Sequence, residues 1–285
     1  MVIDTIAQDA ANHKGKLMPS VLIELGRLSI SRQCDLSCAS PAHECCYARS
    51  MYKRILLKLS GEQLQGKHVS GFDAERAAWI AGQIKPACEA GTEVVVMVGG
   101  GNYARGAQLA GETIGRVSAD NIGMLATLMN GLALADVFNA CGLSSRVLSN
   151  IKADQVVDQY THRRAVSHLT KHRVVIVAGG IGRPFLTTDT AALSLALELE
   201  CDVVIKTTKV DGVYDKDPNK HDDAVKIDEM SHHEALTNAG ITVMDKAALG
   251  LAMEQGKPII VCDLLTDGNI ASAARGENVG TKISA

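Results

Sequence analysis

Several absences restrict the class to which this 285-residue protein belongs. No apolar run approaches the roughly 18 residues that a membrane-spanning helix needs. The formal net charge is -3 with mixed signs, so composition gives no electrostatic reason to expect nucleic acid or an anionic membrane as a partner. The N-terminal segment also lacks a charged stretch followed by a clean apolar core, the pattern of a secretory signal. These absences favour a cytoplasmic enzyme.

The familiar phosphate-binding motifs are absent as well. No G-x-x-x-x-G-K-[ST] sequence occurs, and the closest stretch, residues 276–282 (GENVGTK), has one residue too few between its glycines. No G-x-G-x-x-G unit follows a candidate strand, so a dinucleotide-binding fold is not supported. A protein that handles phosphate without these loops has to draw its cations from other positions.

The eight cysteines are unevenly distributed, and half of them lie in residues 1–50. This N-terminal extension has weak periodicity and ends in CDLSCASPAHECCYARS. Three interpretations stay open: a disordered or weakly ordered tail, a mis-assigned start with Met51 as the natural beginning, or a metal site. The cysteine spacing does not match paired CxxC knuckles, which disfavours the metal site. The remaining four are expected to be reduced core residues: Cys88, Cys141, Cys201 and Cys262.

Candidate strands and helices alternate over residues 51–285. Residues 94–98 form an apolar run with no polar alternation, as in a strand buried on both faces of a parallel sheet. The candidate strands cover 52–59, 94–98, 146–149, 173–178, 202–206 and 258–262, with helices over 73–90, 118–140, 161–171, 188–199 and 243–255. We expect one α/β domain, a three-layer α/β/α sandwich around a central, mostly parallel sheet.

Chemically reactive or glycine-rich segments follow four of the candidate strands. They are residues 58–61 (KLSG), 99–102 (GGGN), 179–182 (GGIG) and 206–209 (KTTK). Ligands of open parallel sheets bind beyond the carboxyl ends of the strands. Glycine N–H groups and lysines gathered at that edge point to one anion-rich ligand. Asn102 and Arg105 are expected to add an amide donor and a fixed cation at one lip of the second loop.

Phosphoryl transfer depends on positioning and charge neutralisation more than on covalent chemistry. Lys58 and Lys209 are the candidate cations, both at predicted strand ends. Asp189, at the start of a helix, is placed to orient lysines or Mg²⁺-bound water. Taken alone, Asp189 could equally be a helix cap, and Lys58 a solvated charge.

Five separated stretches, in order, resemble the bacterial UMP kinases of the amino-acid kinase family. They are YKRILLKLSGEQLQG, VVVMVGGGNYARG, RVSADNIGMLATLMNGLALAD, RPFLTTDTAA and DVVIKTTKVDGVYDKDP, and the resemblance extends over residues 52–284. It implies transfer of the γ-phosphoryl group of ATP to UMP, giving UDP for pyrimidine nucleotide synthesis. It also implies Mg²⁺ accompanying ATP, a homohexamer, and GTP and UTP as activator and inhibitor. Nucleic acid and membranes are not implied as partners.

The resemblance assigns roles to particular residues. The catalytic residues it implies are Lys58, Asp189, Arg105 and Lys209. The implied ATP-binding residues are Lys58, Leu59, Ser60, Gly61, Gly101, Arg105, Thr208, Tyr214 and Asp217. The implied UMP-binding residues are Gly100, Asp120, Ile181, Gly182, Arg183, Pro184, Phe185, Leu186, Thr187 and Thr188. No metal site made by the protein is implied.

The chain also departs from the family pattern. Ala104 stands where members carry a bulky aromatic residue, and Ile181 and Arg183 replace a hydroxyl and an amide in the loop expected to bind UMP. The segment 66–73, where the family has an effector loop, is short. Two alternatives therefore stay open: an acetylglutamate- or aspartate-type kinase, and a nucleotide-binding storage or regulatory protein without turnover.

Overall fold

The structure is a computed structural model that describes residues 52–238, 241 and 243–285. The predictions for residues 1–50, including the start at Met51 and the metal site, lie outside the described residues.

The first elements are β1 (Arg54–Leu59), α1 (Ala74–Glu89), β2 (Glu93–Val98), α2 (Gly106–Leu109), α3 (Arg116–Ala140), β3 (Ser145–Ser149), β4 (Asp158–Gln159), α4 (His162–Leu169) and β5 (Val174–Ala178). They are followed by α5 (Thr188–Glu198), β6 (Val203–Thr208), β7 (Val213–Tyr214), β8 (Lys226–Ile227), β9 (Glu229–Ser231), α6 (His232–Thr237), α7 (Lys246–Gln255), β10 (Ile259–Asp263), α8 (Asn269–Ala274) and β11 (Thr281–Ser284).

Within the described ranges, the central sheet has the strand order β4-β3-β5-β2-β1-β6-β10-β11-β9. Neighbours from β4 to β10 pair in parallel, whereas β11 pairs with β10 in the antiparallel sense. β7 and β8 form a separate antiparallel pair. The predicted mostly parallel sheet is confirmed, and β1, β2, β5 and β6 end at one edge because they run in the same direction.

Helices cover both faces of this sheet. In β1 the side chains of Ile55 and Leu57 join one core with α1, α3 and α8. Leu56, on the opposite face, joins a second core with α4, α5, α6 and α7. Because side chains alternate along a strand and both cores are apolar, residues 55–57 of β1 are consecutive apolar residues. The predicted three-layer sandwich is confirmed.

The principal strands and helices agree with the sequence predictions apart from their ends. Asp73 caps α1 through bonds from the N–H groups of Glu75 and Arg76, and the helix continues past Pro86 to Glu89. α7 begins at Lys246 rather than at residue 243. The sequence reading missed short elements, among them β9, α6, α8 and β11. The GENVGTK stretch ends in β11, so its lysine lies on a strand rather than in a phosphate loop.

α3 is the one helix among the described residues that is long and apolar enough, by length and composition, to cross a membrane. Half of its most apolar stretch is buried inside the protein. It packs against α1, β3 and β5, which is the position of a core helix. No uninterrupted apolar run marks α3 in the sequence, because Asn130 and several glycine, alanine and threonine residues separate its larger apolar side chains.

Candidate active site

A buried carboxylate joined to two lysines forms the centre of the site. Lys58 on β1 and Lys206 on β6 are register partners on adjacent strands, so their side chains leave the same face of the sheet. Asp189 lies in the first turn of α5, which packs against both strands. Its Oδ1 lies 2.7 Å from Nζ of Lys58 and its Oδ2 lies 2.7 Å from Nζ of Lys206. One carboxylate therefore fixes both ammonium groups.

Burial and charge act in opposite directions in this trio. Burial raises the pKa of Asp189, but the charges of Lys58 and Lys206 outweigh it and hold the pKa below its ordinary value. Burial lowers the pKa of Lys206, and the attraction of Asp189 offsets that only in part, with repulsion from Lys58 opposing it. With Asp189 and both lysines ionised, the trio carries an excess positive charge, as a phosphate site requires.

The N-terminus of α5 is fastened by a second carboxylate. The hydroxyl of Thr187 caps the helix by accepting from the N–H of Asp189 at 3.0 Å. Asp245 accepts from the hydroxyl of Thr190 at 2.8 Å and from the N–H of Ala248 at 2.8 Å, where it caps α7. The hydroxyl of Thr187 also donates to Asp245. This network sets the position of the first turn of α5, and hence of Asp189.

The loops after β1 and β2 approach each other more closely than side chains would allow. A Cβ on Gly61 would lie 2.4 Å from the backbone nitrogen of Gly101, and a Cβ on Gly100 would lie 2.7 Å from the carbonyl oxygen of Gly123. The sequence predicts that Asn102 presents its amide at the lip of the second loop. In the structure Asn102 does not do so. It is buried and exchanges hydrogen bonds of 2.9 and 2.7 Å with the amide of Asn130 on α3.

Gln63 ties the first loop to the end of β6. Its Oε1 accepts from the N–H of Ser60 at 2.9 Å and from the hydroxyl of Thr207 at 2.8 Å. Its Nε2 donates to the carbonyl oxygen of Thr208 at 3.1 Å. Gln63 was not among the residues selected from the sequence, because its bonds to Thr207 and Thr208 connect residues more than 140 positions apart.

The third loop, after β5, packs on the same helix. Gly179 has a φ of +82°, and its N–H donates to the hydroxyl of Thr127 on α3 at 2.7 Å. The side-chain amide of Asn150 donates to the carbonyl oxygen of Gly180 at 2.5 Å. The left-handed conformation at Gly179 favours glycine, which explains the repeated glycines there. All three loops thus meet at the N-terminal half of α3.

Together the loops line a cleft of about 480 Å³. Most of the residues predicted to bind the phosphates and UMP line it, namely Lys58, Ser60, Gly61, Gly100, Gly101, Arg105, Asp120, Ile181, Arg183, Leu186, Thr187 and Thr188. Six residues predicted for catalysis, the phosphates or UMP do not line it: Leu59 and Asp189, which are buried, Gly182, Pro184 and Phe185, which lie in the third loop, and Lys209. The cleft wall also includes residues that the sequence reading did not select, among them Gln108, Arg116, Met124 and Thr127.

A second cleft of about 310 Å³ follows the end of β6. Thr208, Tyr214 and Asp217, the three residues predicted to hold adenine and ribose, line it. The hydroxyl of Tyr214 donates to Asp211 at 2.5 Å, and this bond raises the pKa of Tyr214. The ammonium group of Lys206, which contacts Asp189, also donates to the carbonyl oxygen of Val243, a residue of the second cleft wall.

The structure brings Lys206, and not Lys209, to Asp189. Nζ of Lys209 lies 3.8 Å from Oε2 of Glu62, and the same carboxylate pairs with Arg105. The side chain of Lys209 is 65% exposed, compared with 14% for Lys206. The KTTK segment contains both Lys206 and Lys209, so the sequence identified the right segment. Which of the two lysines contacts Asp189 depends on the register of β6 against β1, which the sequence does not show.

Across the part of the chain that the structure describes, no group of three or more His, Cys, Asp or Glu side chains could hold a metal ion. Both oxygens of Asp189 are engaged by lysines, and Glu62 faces two cations. These residues do not form a metal cage of the kind that oxygen ligands provide for hard cations. A Mg²⁺ ion would have to be held mainly by the phosphate oxygens of a nucleotide and by water.

The protein is an α/β/α sandwich in which glycine-rich loops and Lys58 line one cleft at the carboxyl edge of the parallel strands. Residues 53–263 match the model of the Amino acid kinase family. The chain belongs to that family.

Named relatives agree with this assignment. The chain is 46% identical over 234 residues to the uridylate kinase of Dichelobacter nodosus, covering 82% of this chain and 97% of that protein. It is 47% identical over 228 residues to the uridylate kinase of Sulfurovum sp., covering 80% of this chain and 97% of that protein. Among solved structures, the UMP kinase from Bacillus anthracis aligns with a TM-score of 0.78 at 36% identity, over 82% of this chain and 96% of that chain. The UMP kinase from Ureaplasma parvum aligns with a TM-score of 0.76 at 31% identity, over 82% of this chain and 99% of that chain.

Proposed function

We propose that the protein is a UMP kinase, which transfers the γ-phosphoryl group of ATP to UMP and releases UDP and ADP in the synthesis of CTP and other pyrimidine nucleotides. The observation that carries the proposal is the buried Lys58–Asp189–Lys206 trio at the edge where three glycine loops line one cleft. This arrangement concentrates positive charge and N–H donors where a transferred phosphoryl group would gain negative charge.

Asp189 serves as an orienting group in this proposal, and not as a proton acceptor. Its lowered pKa keeps it ionised at neutral pH, and both of its oxygens hold lysines. The acceptor needs no base, because a phosphate monoester has a second pKa of about 6 and is largely doubly ionised at pH 7. Lys58 and Lys206 would neutralise the phosphoryl group in transit. Bound Mg²⁺ would add charge neutralisation on the ATP phosphates.

Arg105 and Lys209 would join the phosphates when ATP enters. In the structure Glu62 pairs with both cations, and the side chains of all three residues are partly exposed. Exposed pairs of this kind are weak, so a triphosphate can displace the carboxylate. Arg105 and Lys209 would therefore act by binding the phosphates of ATP, without contacting Asp189.

The division of substrates follows the two clefts. UMP would occupy the cleft that holds Asp120 and residues 181–188, with Asp120 accepting from ribose hydroxyls and the loop enclosing the phosphate. The adenosine of ATP would occupy the second cleft, against Thr208, Tyr214 and Asp217. The relatives support UMP as acceptor over an acetylglutamate or aspartate type of substrate, since those described above are uridylate kinases.

An exposed apolar surface on α3 supports assembly of several copies. Ile122, Leu125 and Met129 follow one another at helical spacing, and these residues are 38, 52 and 50% exposed. A single copy leaves this stripe in water, which a second copy of the chain would cover. We infer that the protein forms a homo-oligomer and acts in the cytoplasm. The family resemblance is the basis for proposing a hexamer that GTP activates and UTP inhibits.

A coupled assay of ADP release tests the proposal. Purified protein with MgATP is offered UMP, CMP, N-acetylglutamate or aspartate in turn, and we expect turnover with UMP in clear excess over the others. Lys58→Met should abolish it, whereas Lys85→Met, on the exposed surface of α1, serves as the matched control and should retain it. Turnover with an amino acid substrate would favour the alternative kinase. Turnover with none of them, together with intact ATP binding, would favour a storage or regulatory protein.

A further inference from the structure

Asp120 is already engaged by two other parts of the protein. Nε of Arg116, one helical turn earlier on α3, lies 2.9 Å from its Oδ1 and 2.8 Å from its Oδ2. The backbone N–H of Phe185, in the loop after β5, donates to Oδ2 at 2.8 Å. One carboxylate therefore joins α3 to the loop that lines the cleft.

Phe185 adopts a conformation that needs this support. Its φ is +68°, in the left-handed region that is unfavourable for a residue with a Cβ. The residue is 64% exposed, so burial of the ring does little to fix it. The guanidinium carbon of Arg116 lies 5.3 Å from the centre of the ring, within the range of a cation–π contact. Arg116 thus contacts both the carboxylate and the residue that the carboxylate holds.

We propose that Arg116 is a positioning residue for the nucleoside monophosphate, an inference that rests on the proposed kinase function. By holding Asp120 and Phe185 together, Arg116 keeps the loop of residues 180–187 closed against α3 before the nucleotide arrives. An ionised carboxylate offers about four lone-pair positions, so Asp120 retains capacity for a ribose hydroxyl. The nucleotide then meets an ordered loop, and less of its binding free energy is spent on ordering the chain.

A role in binding can be separated from a role in folding at this position. The side chain of Arg116 is 45% exposed, and an ion pair with that exposure contributes little to stability. Arg164 on α4 offers a matched control, because its side chain is 50% exposed and pairs with Asp158 at 3.7 Å, with neither residue lining the cleft. Substitution of either arginine should leave the protein folded.

The kinetic test compares Arg116→Gln with Arg164→Gln. For Arg116→Gln we expect KM for UMP to rise about tenfold, with kcat and KM for ATP within about twofold of wild type. Arg116→Lys should recover part of the loss, since an ammonium group keeps the charge but not the planar stack on Phe185. A KM for UMP equal to that of Arg164→Gln, or an equal rise in KM for ATP, would overturn the proposal.

Hydrogen exchange of residues 180–187 without nucleotide gives a readout that does not depend on activity. Arg116→Gln should exchange the Phe185 amide about tenfold faster than wild type, and Arg164→Gln should match wild type. Unchanged exchange in Arg116→Gln would contradict the proposal. If wild type releases no ADP with UMP, the proposed function fails, while this comparison still decides whether Arg116 holds the loop.

Discussion

Replacing Asp189 by asparagine preserves the size of the side chain and removes the one negative charge between two buried lysines. The side chains of Lys58, Asp189 and Lys206 are 9, 12 and 14% exposed. Removing one partner of a buried ion pair costs about 3–5 kcal/mol, because the remaining charge is left uncompensated. The asparagine oxygen can still accept from one lysine, which favours the lower end, about 3 kcal/mol. For a domain of this size, about 2–4 °C per kcal/mol places the fall in Tm near 6–12 °C.

The same charge argument predicts an unusual response to ATP. Without Asp189 the free protein holds uncompensated ammonium groups, which the phosphates of ATP would neutralise. Added ATP should therefore raise the Tm of Asp189→Asn by more than it raises the Tm of wild type. At the same time kcat should fall about 100- to 1000-fold, or about 3–4 kcal/mol of activation free energy, because the lysines lose their orientation.

Differential scanning calorimetry with and without ATP measures the Tm values, and coupled ADP release measures kcat. Asp158→Asn serves as the control, since its side chain is 69% exposed and it should change neither quantity appreciably. Wild-type values of Tm and kcat in Asp189→Asn would refute the reasoning. So would a smaller ATP-induced shift than in wild type, which would mean that the lysines do not face the phosphates.

Four further predictions follow from the same contacts. The stability that ionised Asp189 contributes is complete above its ordinary pKa of 3.8 and is lost as pH falls through its lower pKa in the folded protein. The difference in unfolding free energy between wild type and Asp189→Asn should therefore decrease only below pH 3.8. Lys206→Met should lower kcat at least tenfold more than Lys209→Met, as rapid kinetics would measure. Asp120→Asn should raise KM for UMP about tenfold and leave KM for ATP unchanged, by steady-state assay. Leu125→Glu should reduce the sedimenting mass, because it places a charge in the apolar stripe of α3.

Much of the fold could be predicted because its signals are local. The runs Val94–Val98 in β2 and Val174–Ala178 in β5 are apolar throughout, which is typical of strands that carry helices on both faces. The short elements β9, β11 and α8 were missed, because a few residues do not establish a period. Their structure depends on distant partners: β11 pairs with β10 and β9, and α8 packs against α1. Tertiary contact, and not propensity, decides such segments.

The candidate site was predictable at the level of loops and less so at the level of pairs. Glycine and lysine at strand ends identified the edge of the sheet, and Asp189 and Lys58 were selected correctly as neighbours. The lysine that contacts Asp189, beside Lys58, is Lys206 and not the predicted Lys209. The register of β6 against β1 brings Lys206 to this position, and strand register cannot be read from the pattern of a single sequence. The bonds of Gln63 to Thr207 and Thr208, and the ring contact of Arg116 with Phe185, join segments far apart in the chain, so local sequence patterns did not predict them.

The most direct test of the central claim is a crystal structure of the protein with UMP and a non-hydrolysable ATP analogue. We expect the UMP phosphate and the terminal phosphate of the analogue to meet beside Nζ of Lys58 and Nζ of Lys206, at about 3 Å, with Asp189 still between the two lysines. The ribose of UMP should contact Asp120. Phosphates bound elsewhere, with both lysines pointing only at Asp189 and backbone oxygens, would contradict the account.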